Sequence, residues 1–281
     1  MKLNWRTGIT ALALLAVAAM GAEKRILIHG HRGARALRPE NTLAAFEYAI
    51  KAGADYLELD LAVTKDGVLV VSHDPVLPQA ICQGPKGATR AIHQMTLAEL
   101  RRWDCGSLKN PEFPRQQPVP GERVPTLDEV LALAPRGEFG FNIEIKVPRD
   151  ASLAPPVEEF ARKVVEAVRK HGLEKRVIIQ SFDFRATRAV HRLAPELRVA
   201  ALIGKDPREF PAVAREAHAS IVSPQYRLVT PEKVKRAHEA GFEVVPWTAD
   251  DPEVWRDLAD AGVDAIITDD PAALKAWLAS R

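Results

Sequence analysis

Short apolar runs and amphipathic segments follow one another along most of the chain. Apolar runs of strand length occupy residues 25–28, 56–63, 68–72, 139–145, 177–180, 199–203, 220–222, 243–247 and 265–268. Segments with apolar residues at helical spacing occupy residues 41–52, 157–170, 184–193, 207–217, 231–240, 252–261 and 271–279. Several of these segments have proline in the first turn or glycine just beyond the end, as helices commonly do. The regular alternation of strand and helix predicts a parallel sheet.

The third apolar run does not fit a purely parallel sheet. The segment Thr-Lys-Asp-Gly at 64–67 is all that separates residues 56–63 from residues 68–72, whereas parallel neighbours need a crossover of about a dozen residues. Asp-Gly is a tight-turn signal, so residues 68–72 are predicted to pair antiparallel with residues 56–63. The eight remaining strands predict a TIM-type (β/α)8 barrel with an extra antiparallel hairpin strand.

Residues 75–125 interrupt the pattern. This segment is rich in proline, glycine and glutamine, and it contains one convincing helix, at 96–103. We expect an inserted subdomain near the mouth of the barrel. Cys82 and Cys105 both lie in it, and in an exported protein two such cysteines are candidates for one disulfide.

The N-terminus has the layout of a secretory signal peptide. Lys2 and Arg6 precede an apolar run at 9–20, and the small residues Gly21 and Ala22 follow it. The run is too short for a stable transmembrane anchor. We expect a signal peptide at 1–22 and a periplasmic or secreted barrel domain at 23–281 with no stable membrane anchor after cleavage. The alternative is a first core helix.

Composition narrows the class of protein. The chain has 281 residues, of which 47% are hydrophobic and 27% charged, with a formal net charge of +2. These values are ordinary for a soluble globular protein, and the length suits one barrel domain. A nucleic-acid-binding domain would normally show a basic excess, so no nucleic-acid partner is expected. The oligomeric state stays open.

Two strands carry acids on one face. Side chains alternate along a strand, so Glu58 and Asp60 share a face while the leucines at 57, 59 and 61 share the other. By the same parity Glu144 shares a face with Lys146. Buried like charges are unfavourable without a cation, and carboxylate oxygens suit Ca²⁺ or Mg²⁺, with Mn²⁺ as a further option. The alternative to a metal site is that these acids lie at a strand end exposed to solvent.

Two histidines complete the candidate site. His31 ends the first strand and is followed by Arg32, and histidine suits proton transfer near neutral pH. Arginine suits bidentate phosphate binding. If Thr64 faces Gly67 in the hairpin, His73 lies opposite Glu58 and beside the acids.

Taken together, these residues resemble the signature of the glycerophosphodiester phosphodiesterase family. The matching blocks extend through almost the whole predicted mature chain and are highly specific as a set. They are His31-Arg32-Gly33, Pro39-Glu40-Asn41-Thr42, Glu58-Leu59-Asp60, Thr64-Lys65-Asp66-Gly67, His73-Asp74-Pro75, Ile143-Glu144-Ile145-Lys146, Gln180-Ser181-Phe182-Asp183, Pro246-Trp247-Thr248 and Thr268-Asp269.

The resemblance implies a β/α barrel and a role for each matching residue. It implies catalytic roles for His31 and His73 and a divalent cation held by Glu58, Asp60 and Glu144. It also implies phosphate contacts from Arg32 and Lys146, a pocket-lining Trp247, and Glu40 as an acid beside the site. Two of these residues have a simpler alternative interpretation. Trp247 is alternatively an aromatic residue of the core, and Glu40 is alternatively part of a helix start with Asn41 as the N-cap.

The implied reaction is hydrolysis of a glycerophosphodiester to glycerol 3-phosphate and an alcohol. Charge on the phosphate must be neutralised, and a general acid and base are needed. The alternatives are a lysophospholipid-directed phosphodiesterase, a non-catalytic phosphodiester-binding protein and a structural envelope protein. The sequence leaves open which alcohol is released, which metal is native, and which histidine acts as acid.

Overall fold

The computed structural model describes residues 25–281, so the expected signal peptide at 1–22 lies outside the described residues. The strands are β1 Leu27–Gly30, β2 Tyr56–Val63, β3 Leu69–Val71, β4 Gly140–Ile145, β5 Val177–Ser181, β6 Arg198–Ile203, β7 Ile221–Pro224, β8 Glu243–Val244 and β9 Ala265–Thr268. The helices are α1 Leu43–Ala52, α2 Leu97–Leu100, α3 Leu127–Leu131, α4 Val157–Lys170, α5 Phe184–Leu193, α6 Phe210–Ala217, α7 Pro231–Glu239, α8 Pro252–Asp260 and α9 Pro271–Ala279. None of the helices formed by residues 25–281 combines the length and the apolar composition that crossing a bilayer requires.

The strands form a barrel with one additional strand. Within residues 25–281, eight strands pair in parallel in the order β8-β7-β6-β5-β4-β2-β1-β9. Backbone hydrogen bonds from Asp264 to Val244, at 3.0 Å, and from Ile267 to Pro246, at 2.9 Å, bring the two edges together. β3 pairs antiparallel with β2. The expected (β/α)8 barrel with an extra hairpin strand is confirmed.

The expected register of the hairpin is wrong by one residue. Thr64 pairs with Val68, through a 3.0 Å backbone hydrogen bond, and not with Gly67. The loop therefore has three residues, and Gly67 takes the left-handed conformation, with φ 80°, that such a loop needs at its last position. A shift of one residue reverses the face of every side chain on the strand. His73 therefore does not reach the acids as the cross-strand partner of Glu58.

The start of α1 corrects a second expectation. The N-cap is Thr42, whose hydroxyl accepts a hydrogen bond from the backbone N–H of Ala45 at 3.2 Å. Asn41, the expected N-cap, lies one residue earlier in a left-handed conformation with φ 56°. Because Thr42 already caps the helix, the Asn41 side chain is available to the site.

Alternation along the strands separates two apolar layers. The leucines at 57, 59 and 61 are fully buried between barrel and helices, as predicted. A second, smaller apolar cluster lies inside the barrel; it comprises Ile178, Ala200, Ile221, Val245, Ala265 and Ile267.

The segment at 75–125 has its own small core. Cys82 and Cys105 form a disulfide there and pack in a buried cluster with Trp103 and Met95. The helix expected at 96–103 is shorter, Leu97–Leu100. The last part of the segment contacts the loop after β1, where the amide of Gln116 donates to the backbone oxygen of Arg35 at 2.7 Å.

Candidate active site

A cavity of about 320 Å³ opens at the carboxyl ends of the barrel strands, which is where barrel enzymes carry their active sites. Most of the site residues expected from the sequence line it, namely His31, Arg32, Glu58, Asp60, His73, Glu144, Lys146 and Trp247. The remaining lining residues had been given no role, namely Arg35, Gln180, Phe182, Leu202, Thr248 and Ile267.

Three buried carboxylates lie together at the floor of the cavity. Strand pairing places Asp60 of β2 directly beside Glu144 of β4, and Glu58 is two residues before Asp60 on the same face. One carboxylate oxygen from each of these acids lies within 4.8 Å of the other two. The alternation of β2 and β4 therefore produces the cluster that the sequence predicted.

Hydrogen bonds orient these carboxylates. Glu58 accepts from the backbone N–H of Arg32 and from the side-chain amide of Gln180, each at 2.9 Å. Asp60 accepts from the side-chain amide of Asn41 at 2.9 Å. The Asn41 side chain therefore orients Asp60 in the site. A residue that only capped the helix would not do so.

Like charges and burial change the proton affinity of the cluster. Burial, with the opposed effects of Lys146 and Asp60, raises the pKa of Glu144 to about 8. Burial and the charge of Asp60 also raise the pKa of Glu58 well above its usual value. Burial acts in the same direction on Asp60, but Arg32 and Lys146 outweigh it and lower its pKa. Without a cation, Glu58 and Glu144 therefore tend to keep their protons, and a bound cation would favour the charged form of both carboxylates.

A cation would fit this cluster. The donors are hard carboxylate oxygens from three convergent side chains, as Ca²⁺ and Mg²⁺ prefer. Asn41 adds a buried side-chain oxygen that has no hydrogen-bond partner among the described residues. The cluster can therefore hold a divalent cation.

The turn after β1 presents Arg32 to the cavity. Arg32 has φ 48° and Gly33 has φ 86°, so both lie in the left-handed region. A Cβ on Gly33 would come within 2.7 Å of the backbone of Ala45, so glycine is required at this position. The turn directs the Arg32 guanidinium to within 3.4 Å of Asp60.

Glu40 holds the guanidinium group of Arg32 in place. Its carboxylate accepts a 2.6 Å hydrogen bond from the Arg32 guanidinium, and its other oxygen lies 3.2 Å from Nε of Arg35. Among the described residues, Glu40 is not one of those that line the cavity. The structure therefore places it where it fixes the position of Arg32.

His31 is held by a residue from the far end of the chain. Its Nδ1 atom lies 2.5 Å from Oδ1 of Asp269, and its Nε2 atom lies 4.0 Å from Glu58. Burial lowers the pKa of His31, and Asp269 opposes that effect. Because Nδ1 faces the carboxylate, it carries the proton in the neutral ring, so Nε2 is left to face the cavity as an acceptor.

His73 and Lys146 form another wall of the cavity. Beyond Val71 the chain leaves β3, and this bend turns His73 toward the acids although the strand register does not. Nδ1 of His73 lies 2.9 Å from the carboxylate of Asp74. Nζ of Lys146 lies 3.3 Å from Glu144 and 3.7 Å from Asp60.

The opposite wall is aromatic. The Trp247 indole N–H donates to the backbone oxygen of Ser223 at 2.9 Å, which fixes the ring in place. Phe182 packs edge-on against it, with ring centroids 5.4 Å apart, and is 47% exposed. Trp247 therefore lines the cavity and is also packed against its neighbours.

Besides the contact of Asn41 with Asp60, sequence reasoning missed three of these contributions. Gln180 joins the carboxylates to a buried polar layer, because it also accepts a 3.0 Å hydrogen bond from Asn142. Its strand parity, opposite to that of Ile179, could have revealed it. Asp269 belonged to a matched block but had been assigned no role, and nothing in the local sequence singled out Arg35.

Comparisons with known proteins agree with this geometry. Residues 31–273 match the model of the glycerophosphoryl diester phosphodiesterase family. A glycerophosphodiester phosphodiesterase of Caldanaerobacter subterraneus subsp. tengcongensis is 37% identical over 89% of this chain and 96% of its own length. One of Bacillus subtilis is 33% identical over 88% of this chain and 84% of its own length.

Solved structures show the same similarity. A glycerophosphoryl diester phosphodiesterase from Silicibacter pomeroyi superposes with a TM-score of 0.85 at 33% identity, over 92% of this chain and 95% of its own. A phosphodiesterase of Oleispira antarctica, solved with the product sn-glycerol-3-phosphate, has a TM-score of 0.76 at 25% identity, over 90% and 96%.

Proposed function

This chain belongs to the glycerophosphoryl diester phosphodiesterase family and is a glycerophosphodiester phosphodiesterase, and we propose that the cavity at the barrel mouth is its active site. The proposed reaction releases glycerol 3-phosphate and an alcohol. The observation that carries this proposal is the position of two histidines, His31 and His73, on the walls of one cavity whose floor is a buried carboxylate cluster.

We propose that Arg32 and Lys146 bind the phosphate of the substrate. Both reach the cavity, and each lies beside Asp60, so both present their charge at the same place. Glu40 holds the Arg32 guanidinium at one of its nitrogen atoms, which leaves donors for a phosphate oxygen. These two cations would bind the diester with its phosphorus between the histidines.

Glu58, Asp60 and Glu144 are the proposed ligands of a divalent cation, Ca²⁺ or Mg²⁺, with Mn²⁺ as a third option. When bound, such a cation supplies positive charge that stabilises the phosphoryl oxygens. Asn41 and Gln180 hold two of these carboxylates in place through their side-chain amides, as residues around a metal site commonly do.

The two histidines are the proposed acid and base. Asp269 accepts from Nδ1 of His31 and stabilises the ring when Nε2 gains a proton. This arrangement favours His31 as the base of the first step. His73 then donates a proton to the leaving alcohol oxygen, and the roles reverse when water enters.

The proposed nucleophile of the first step is the glycerol hydroxyl next to the phosphorylated carbon. A neighbouring hydroxyl held close to phosphorus has an effective molarity of about 10⁵ M or more, which free water does not match. Attack forms a phosphorus–oxygen bond to this hydroxyl and breaks the bond to the leaving alcohol. Water then opens the cyclic phosphate to give glycerol 3-phosphate.

One assay tests the proposal as a whole. The assay would measure release of glycerol 3-phosphate from glycerophosphocholine, glycerophosphoethanolamine and glycerophosphoglycerol, and release of choline from lysophosphatidylcholine, after chelation and after Ca²⁺, Mg²⁺ or Mn²⁺ is added back. We expect turnover of the deacylated diesters that chelation abolishes and Ca²⁺, Mg²⁺ or Mn²⁺ restores. Full activity in protein shown by elemental analysis to be metal-free would contradict the metal assignment. Faster turnover of the lysophospholipid would contradict the substrate assignment.

We also propose that the protein is exported to the periplasm or secreted. The sequence at 1–22 has a signal-peptide layout, and the Cys82–Cys105 disulfide is of a kind that persists in oxidising compartments. Mass spectrometry of the protein from a fractionated host would test this. An intact N-terminus in a purely cytoplasmic protein would contradict it.

A further inference from the structure

A third cationic side chain, besides Arg32 and Lys146, lines the active-site cavity. Arg35 belongs to its lining, and the side chain is only 15% exposed. Burial by itself would raise the pKa of Asp269, but the charges of His31, Arg35 and Arg32 outweigh it and lower that pKa. The Arg35 guanidinium therefore lies close enough to act on the pair formed by His31 and Asp269.

One carboxylate holds both arginines of the cavity. Glu40 accepts a hydrogen bond from Arg32 through Oε1 at 2.6 Å, and its Oε2 atom lies 3.2 Å from Nε of Arg35. The two guanidinium groups are therefore fixed beside each other. Neighbouring guanidinium groups suit one phosphate, because each offers N–H donors in a planar fork.

The donors of Arg35 are open to a ligand. Within residues 25–281 its guanidinium donates no hydrogen bond, and its buried Nε atom has no hydrogen-bond partner there. The contact with Glu40 is thus an ion pair without hydrogen-bond geometry. A second ion pair, with Glu112, is longer, at 3.7 Å, and Glu112 is 74% exposed, so it contributes little. A phosphate in the cavity would supply the hydrogen bonds that Arg35 lacks.

The inserted segment at 75–125 holds Arg35 in this position. Cζ of Arg35 lies 4.5 Å from the ring centroid of Phe113, an attractive contact between a cation and an aromatic face. In the same turn, the buried Gln116 donates its side-chain amide to the backbone oxygen of Arg35 at 2.7 Å. Because Phe113 covers a face of the guanidinium and Glu40 lies at Nε, the terminal N–H groups are left for the cavity.

We propose that Arg35 binds the phosphate of the substrate as a third cation beside Arg32 and Lys146, and that Phe113 is a positioning residue for Arg35. The inserted segment then completes the active site. The inference rests on the proposed function, because it adds a residue to the phosphate site of the same reaction. The phosphate is charged in the substrate, the transition state and the product, so Arg35 stabilises all three and chiefly lowers KM.

Variants of Arg35 test its role in binding. Arg35→Gln should raise KM for glycerophosphocholine roughly tenfold, because a hydrogen bond between charged groups is lost. It should weaken the binding of glycerol 3-phosphate, measured by calorimetry, by a similar factor, and kcat should stay within about threefold of the wild-type value. Arg35→Lys keeps the charge beside Glu40 and should give an intermediate KM.

The chain offers a matched control for this pair of residues. Arg38 lies over the ring of Tyr48, with Cζ 4.9 Å from the centroid, and neither residue is among the described residues that line the cavity. Arg38→Gln and Tyr48→Leu remove the same kind of contact outside the site. Both variants should keep the wild-type KM.

Variants of Phe113 test whether the ring acts through the arginine. Phe113→Leu should raise KM roughly threefold, because the cation–aromatic contact is lost, and Phe113→Tyr, which keeps the ring, should keep the wild-type KM. In protein that already carries Arg35→Gln, Phe113→Leu should have no further effect. A role of Phe113 in folding alone would not show this dependence on Arg35.

The outcomes distinguish this inference from the proposed function. If the wild type hydrolyses no glycerophosphodiester, the proposed function fails. If the wild type is active and Arg35→Gln keeps its KM and its affinity for glycerol 3-phosphate, the inference is wrong and the proposed function stands. A fall in kcat at unchanged KM would overturn it as well, because Arg35 would then only support His31 and Asp269.

Two further results would contradict the inference. Additive effects of Phe113→Leu and Arg35→Gln on KM would show that Phe113 does not position Arg35. If Arg35→Gln does not fold, a wild-type KM in both Arg35→Lys and Phe113→Leu would exclude Arg35 from the phosphate site.

Discussion

Asp269 lies 2.5 Å from His31 although 238 positions separate the two residues in the chain. Asp269 follows β9 and His31 follows β1, and these two strands are neighbours because the barrel closes. The backbone N–H of Asp269 is itself fixed by the carboxylate of Asp250 at 2.7 Å. The closure of the sheet therefore sets the orientation of a proposed catalytic base.

The Asp269→Asn variant tests this orientation. An asparagine keeps the size of the side chain but no longer favours the same tautomer of His31, so we expect kcat to fall by at least about a hundredfold with little change in KM. Asp269 also opposes the lowering of the His31 pKa, so the acidic limb of the rate profile should move to lower pH. Asp270→Asn, which alters a carboxylate bonded to Arg115 at 2.7 Å, is the control. A rate loss without any change in the pH profile would indicate a merely structural role.

The histidines themselves have a direct test. His31→Ala and His73→Ala should each fold normally and lose about a hundredfold or more in turnover, because each removes one proton-transfer group. Binding of glycerol 3-phosphate, measured by calorimetry, should persist in both variants. His191→Ala, at an exposed position on α5, serves as the comparison. A wild-type rate in either cavity variant would show that its histidine is misassigned.

The carboxylate cluster predicts how stability depends on pH in the chelated protein. Burial raises the pKa of Glu144 from 4.5 to about 8, so between these values the folded state holds a proton that the unfolded state has lost. This contribution to the free energy of unfolding is full below about pH 4.5 and disappears as the pH rises through about 8. Urea titrations of the chelated protein should therefore show declining stability across this range. Glu144→Gln should reduce the slope and Glu166→Gln, on the exposed side of α4, should not.

Removal of the disulfide should lower stability more than activity. The bridge between Cys82 and Cys105 spans 23 positions, and closing a loop of this length stabilises by about 3 kcal/mol in chain-entropy models. We expect the double variant Cys82→Ser/Cys105→Ser to unfold at lower denaturant concentration and to keep most of its turnover at low temperature. A reducing agent should destabilise the wild type alone. Equal midpoints for the two proteins would contradict the prediction.

A modified substrate tests the internal nucleophile. A diester of 2-deoxyglycerol keeps the phosphate and the leaving group but lacks the hydroxyl proposed to attack phosphorus. We expect it to bind with an affinity close to that of the natural diester and to turn over at least about a hundredfold more slowly, because the proximity of the nucleophile is lost. Equal turnover numbers would identify water as the direct nucleophile.

The sequence by itself determined which residues face the cavity from β2 and β4. Strand parity is a local property, so alternation alone separated Glu58, Asp60 and Glu144 from the leucines that pack beneath the helices. The strand and helix pattern likewise determined the barrel, because short crossovers between parallel strands leave few other topologies.

The tertiary structure decided what depends on a turn conformation or on ring closure. The register of the hairpin depended on whether the loop that ends at Gly67 has two or three residues. This difference reverses the face on which every side chain of β3 lies. The Asn41 side chain donates a hydrogen bond to Asp60 because Thr42, and not Asn41, caps the helix. Asp269 met His31 because the last strand pairs with the first. The register depends on the conformation of one loop, and the contacts of Asn41 and Asp269 depend on the positions of several elements at once; a local pattern of polarity carries no information about either.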